Sequence, residues 1–197
     1  MKNNIVLKIL GIIAVVVVLF WGVTSAITEL GNKSNMKKVE NIEGVKIENQ
    51  LVPYEDENGY WTFTTDKDFK VVQFSDIHIG AGWMCHGKDL KALNAVAAMV
   101  TEEKPDLVIV TGDIAYPIPP QAGTSDNLTE AKLFATLMEN LGVYWTVAFG
   151  NHDTEAYSKY DRAQIADFYE NSGFKYCLFK SGPDDIDGYG NNVINIK

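Results

Sequence analysis

Three short stretches place metal-type side chains at tight spacing: Asp76-Ile77-His78, Gly112-Asp113 and Gly150-Asn151-His152-Asp153. Carboxylate oxygens and imidazole nitrogens together suit Zn, Mn, Fe and similar ions, rather than Ca or Mg alone. Asp76 and His78 are two apart, so on an extended chain they share one face. Gly150 has no Cβ, which permits a sharp exit and a close approach of backbone to a bound ion. One such block alone is equally well a solvated loop with an ordinary histidine. Three in order, each behind an apolar run, are not a chance pattern.

Those runs are alike. Residues 69–75, 106–111 and 144–149 are apolar, β-branched or aromatic and read as buried strands. Three strands therefore end in polar groups, at the rim where ligands of open α/β sheets sit. Between them, residues 88–103 carry helical spacing at Leu90, Leu93, Val96, Ala97 and Val100, stopped by Pro105. Residues 127–141 repeat the pattern, with Gly142 as the stop. Residues 158–170 read as a third helix. Residues 45–47, 60–64, 177–179 and 192–196 read as short strands, the last two around a turn at Pro183-Asp184-Asp185. Residues 116–125, with Pro117, Pro119 and Pro120, read as a loop beside the site. Strands alternating with helices indicate an α/β domain.

The 197 residues are 46% hydrophobic and 22% charged, with a formal net charge of −9. That size holds one domain of modest core. The acidic balance, with no basic run, excludes nucleic acid as a partner held by simple charge. Residues 9–27 are apolar and uncharged over nearly the ~20 residues that span a bilayer. Lys2 and Lys8 precede them, as in an export segment. The expectation is a signal anchor over residues 1–28, a polar tether over 29–53 and the domain over 54–197. The protein is then single-pass in the membrane with its domain outside the cytoplasm, or secreted if cleaved near Thr24-Ser25-Ala26.

The three blocks resemble the first signature blocks of the calcineurin-like metallophosphoesterases. Residues 104–113 (Lys-Pro-Asp-Leu-Val-Ile-Val-Thr-Gly-Asp) and the Gly150 block followed by Asp161-Arg162-Ala163-Gln164-Ile165 are most similar to the purple-acid-phosphatase-like branch. The resemblance runs from Phe69 to the end. It implies a four-layer α/β/β/α sandwich and hydrolysis of phosphoesters at a site of two divalent or trivalent ions, Mn, Fe or Zn. By that resemblance Asp76 and His78 hold the first ion, Asp113 bridges, Asn151 holds the second, and His152 is the general acid. Asp153 is a candidate by adjacency, for chemistry or for structure.

The family's later blocks, an isolated histidine and then Gly-His-x-His, have no counterpart among His78, His86 and His152. The sandwich is therefore expected to be incomplete, and this chain to have little activity alone. The alternative is a membrane-anchored binding module that keeps the fold without catalysis. His86 is read as solvated. Tyr116 lies where purple acid phosphatases have a tyrosine ligand, but those enzymes lack the histidine of Asp-x-His. It is read as packing under the proline-rich loop. Cys85 and Cys177 are open to pairing or to remaining free thiols.

Overall fold

In the computed structural model, which describes residues 2–183 and 185–197, the three strands behind the polar blocks form one parallel sheet. The elements in chain order are α1 (Lys2–Glu40), β1 (Tyr54–Glu55), β2 (Trp61–Phe63), β3 (Val71–Phe74), α2 (His86–Glu103) and β4 (Leu107–Val110). There follow α3 (Pro119–Ala122), α4 (Asn127–Leu141), β5 (Trp145–Val147), α5 (Arg162–Asn171) and β6 (Ile194–Ile196). The sheet order is β3-β4-β5, with Val71 opposite Leu107 and Val108 opposite Trp145. This common register brings the three C-terminal ends to one rim. A second sheet, β1-β2-β6, pairs a short hairpin with a parallel β6.

Period-two alternation sorts the core into two layers. On β4, Val108 and Val110 face a large cluster shared with α2, α4 and α5, including Leu93, Phe134, Met138 and Ile165. Leu107 and Ile109 face the other sheet, with Phe63, Tyr144 and Leu178. Three layers, α/β/β, are therefore present. The long helices α1, α2, α4 and α5 pack with one another, and among the described residues no long helix covers the second sheet, as expected of an incomplete sandwich.

Helix ends follow local chemistry. Asp126 caps α4 by accepting from the Thr129 amide at 3.2 Å, and Gly142 closes it in the left-handed region. The α5 helix starts at Arg162 rather than 158, because Asp161 and Gln164 form a capping box there. Residues 177–179 make a single parallel bridge, Trp145 to Cys177, instead of a strand. Residues 45–47 are irregular, held by the Val45 amide on the Leu141 carbonyl at 2.8 Å. Four residues of the proline-rich loop wind into α3. Asp184, in the expected turn, lies outside the described residues.

The largest departure is at the start of the expected tether. Helix α1 runs without a break to Glu40, and its last three turns pack on the domain. Its inward stripe is Thr24, Thr28, Asn32, Asn35 and Val39, at helical spacing. Asn35 and Val39 are buried, and Asn32 donates to the Ala81 carbonyl at 2.7 Å. Before Thr24 the described side chains of the helix are exposed and, apart from Lys8, apolar. That part is long and apolar enough to cross a membrane or to act as a signal sequence.

Candidate metal centre

Two of the three strands, β3 and β4, leave the sheet through an unusual backbone. Asp76, His78 and Asp113 all have φ between 54° and 56°, the left-handed region that non-glycine residues rarely enter. Such conformations cost of order 1–3 kcal/mol each and persist only where surroundings over-determine them. Here the surroundings are backbone bonds across the rim. The Asp76 amide donates to Gly112, His78 to Asp113, and Ile79 to Ile114.

Two glycines let the second and third loops touch. A Cβ on Gly112, at φ 107°, would lie 2.6 Å from the Gly150 backbone. A Cβ on Gly150 would lie 2.1 Å from Asp113 Oδ1. Asp153 locks this approach. Its buried carboxylate accepts from the amides of Asp113 (2.9 Å), Ala115 (2.9 Å) and Gly150 (2.8 Å). Burial raises its pKa, and the three amide donations oppose the rise. Asp153 thus settles as the organiser of the rim. Asn127 continues the lock by donating to the Asp153 and Tyr160 carbonyls. Arg162, the chain's single arginine, donates to the Gly150 carbonyl at 3.1 Å and lies over Phe149.

The result is a group of three donors: one ligand atom each of His78, Asp113 and His152, all within 4.8 Å of one another. His78 Nε2 is 3.6 Å from Asp76 Oδ1 and 3.8 Å from Asp113 Oδ2. Donors about 2.1 Å from one tetrahedral ion are roughly 3.4 Å apart, so this spacing fits a transition-metal ion. Asp76, Asp113 and His78 present two carboxylates and an imidazole, the donor set that suits such ions. Asp113 Oδ1 accepts from the His152 amide at 2.8 Å, which fixes the carboxylate plane. Asp76 is held by the Ser75 hydroxyl. Asn151 is exposed on the same loop, and its amide makes no hydrogen bond among the described residues.

His152 Nδ1 lies 2.8 Å from Glu155 Oε1. With the Glu155 carboxylate accepting, Nδ1 is the donor of this pair and Nε2 is the ring nitrogen left for the site. Nothing in the block signature pointed to Glu155; its signal was only a carboxylate three residues after a candidate acid. Tyr116, read from the sequence as packing under the proline-rich loop, has its ring against the site histidines. Its ring stacks on His78 at 4.7 Å and meets His152 edge-on at 4.3 Å. The spacing of three from Asp113 was the available signal.

His86 is neither in the site nor solvated. A Cβ on Gly31 would lie 2.1 Å from its ring, and both ring nitrogens are buried with no hydrogen-bond partner among the described residues. Cys85 and Cys177 are free thiols.

This arrangement of strand-end donors is that of a metal-dependent phosphoesterase fold. The profile of the calcineurin-like phosphoesterases matches residues 69–196, and the chain belongs to that family. Among curated relatives it is 29% identical over 157 residues to a probable inactive purple acid phosphatase 14 of Arabidopsis thaliana, covering 68% of this chain and 36% of that protein. The probable inactive purple acid phosphatase 28 of the same plant is 26% identical over 156 residues, covering 68% and 37%. Phosphatase DCR2 of Saccharomyces cerevisiae is 29% identical over 149 residues, covering 68% and 24%. The chain thus spans between 24% and 37% of the length of these relatives.

Proposed function

We propose that this chain supplies the ion-holding and proton-donating groups of a phosphoester hydrolase anchored to a membrane by α1. The observation that carries the reading is the convergence of His78, Asp113 and His152 from three strand ends, two of them in left-handed backbone. Asp76 and His78 would hold one ion, Asp113 would bridge to a second, and Asn151 would serve that second ion. Two ions of Mn, Fe or Zn type, when bound, supply Lewis-acid activation of water and of phosphoryl oxygens.

The chain's own residues do the rest. His152, as the imidazolium, keeps its Nδ1–H on Glu155, presents Nε2–H to the site and gives that second proton to the leaving oxygen. Glu155 holds the ring in that orientation through Nδ1. Tyr116 lies against both histidine rings and flanks the donor group on that side. Asp153 and Arg162 keep the Gly150 loop in register with Asp113. The test is hydrolysis of an aryl phosphate, with added Mn, Fe or Zn, by the solubilised protein joined to the family's later histidine blocks, comparing wild type with His152→Ala. A fall of about 10²–10⁴-fold in turnover with metal content unchanged is the expected result. Equal turnover would overturn the role.

The donor spacing also favours a second reading, in which neutral His152 is itself a ligand through Nε2. In that case His152→Ala loses metal as well as turnover. The names of two relatives carry the word inactive, which keeps a non-catalytic membrane-anchored module as the rival. That rival predicts metal binding with no metal-dependent hydrolysis.

A further inference from the structure

We propose that two uncharged loops at the base of the site, residues 79–87 and 114–125, form a bilayer-docking surface that seats the domain in the headgroup layer. The proposal rests on reading α1 as a membrane anchor. Between Lys8 and Glu29 the helix carries no charge, and those 20 residues rise about 30 Å, the thickness of a hydrocarbon core. The domain does not wait for the end of that stretch. The Trp83 ring meets Phe20 edge-on with centroids 6.0 Å apart. A cavity of about 380 Å³ is walled on one side by Trp21, Ser25, Thr28 and, at its upper end, the charged Glu29, and on the other by Pro119, Gly123, Thr124 and Ser125.

The contact at Phe20 lies eight residues before Thr28, roughly 12 Å along the axis. An upright α1 with its exposed apolar part, which runs to Val23, in lipid therefore carries these loops down to the bilayer surface. Phe20 lies three residues, roughly 4.5 Å, inside that part's end. Their composition fits that position. In a chain that is 22% charged, neither loop holds an Asp, Glu, Lys or Arg. Trp83 supplies the aromatic ring favoured at membrane interfaces, and Met84 is 55% exposed beside it.

The attachment is fixed rather than swinging. Asn32 donates to the Ala81 carbonyl, Asn35 donates to the His86 carbonyl at 3.0 Å, and His86 packs on Gly31. Trp83 also fills the space over Gly123, where a Cβ would lie 2.2 Å from the indole. The loops begin at the site itself, since the Tyr116 amide donates to the Ile79 carbonyl at 2.9 Å. The bilayer thus borders one side of the site.

The test uses the full chain with Cys85→Ala and Cys177→Ala, reconstituted in phosphatidylcholine vesicles. Single cysteines at Met84, Val15 and Asn58 carry an environment-sensitive fluorophore. Asn58, at the tip of the β1–β2 turn, lies on the layer away from α1. The expected result is quenching of the Met84 label by headgroup-region nitroxide lipids and of the Val15 label by deep nitroxides, with Asn58 unquenched. A quenched Val15 with Met84 as unquenched as Asn58 overturns the docking surface and leaves the anchor standing. An unquenched Val15 overturns the anchor, and the docking surface with it. Met84 is exposed, so its replacement leaves the fold intact; a Thr124→Cys label on the second loop repeats the reading independently.

Discussion

The site rim and helix α4 are built on opposite terms. Helix α4 uses residues where they are locally favoured: an Asp cap, an apolar stripe and a glycine in the left-handed closing position. The rim uses residues where they are locally disfavoured. Asp76, His78 and Asp113 take left-handed backbone without being glycine, and two glycine backbones meet at 2.6 Å from where a Cβ would stand. What holds the rim is a buried carboxylate with three amide donors. A fold element that follows propensity absorbs change; one held against propensity transmits it to function.

That contrast predicts unequal effects of one methyl group. Gly150→Ala forces Asp113 away from a contact of 2.1 Å, and a misplacement of this size at a reacting site costs about 10²-fold in turnover. Gly142→Ala meets nothing closer than 3.6 Å, and only its φ of 73° is strained. Its expected cost is ~1 kcal/mol of stability with turnover unchanged. Denaturation and kinetics on both variants check the pair, and a Gly150→Ala enzyme at wild-type speed would break the comparison.

Asp153→Asn sharpens it further. An amide can accept on one side only and presents N–H₂ to N–H on the other. The expected loss is about 1–3 kcal/mol of stability together with metal affinity, read by chemical denaturation and metal titration. A variant that loses stability but keeps its affinity would show that Asp153 supports the core rather than the rim.

The smallest effect concerns Glu130, fully buried in the first turn of α4 with neither carboxylate oxygen paired. Burial raises its pKa well above the ordinary 4.5, and the charges of Asp89, Asp126 and Asp153 add to the rise. The folded state therefore binds a proton that the unfolded chain releases, so this group's contribution is full below about pH 4.5 and is lost as pH rises. Glu130→Gln should flatten that decline and match or exceed wild-type stability at alkaline pH. Denaturation midpoints from pH 5 to 8 check this, and parallel slopes for the two proteins would refute it.

Much of this was legible before any coordinates. Residues 127–141 form α4 with the boundaries its cap and stop residues dictate. The three strand-end blocks were legible from residue type and spacing alone. What was not legible lies in contacts distant in sequence. Residues 31–40 look polar enough for a tether, yet Asn32 and Asn35 spend their amides on the carbonyls of a loop some fifty residues away. His86 has no sequence signal that distinguishes packing under a glycine from solvation. Tyr116 was judged by its proline-rich neighbours, whereas its position follows from the β4 loop pairing Ala115 with Ile79. The α5 boundary, by contrast, was readable: Asp161-x-x-Gln164 is a capping-box pattern.

The central claim is that the strand ends form one ion-holding site with Asp113 at its middle. The most direct measurement is Mn, Fe or Zn binding by the solubilised chain, titrated for wild type, Asp113→Asn and His86→Ala. Wild type and His86→Ala are expected to bind one ion firmly and a second weakly, since Asp113 and Asn151 alone would serve the second. Asp113→Asn is expected to lose both. Equal binding by wild type and Asp113→Asn, or loss through His86→Ala instead, would contradict the account.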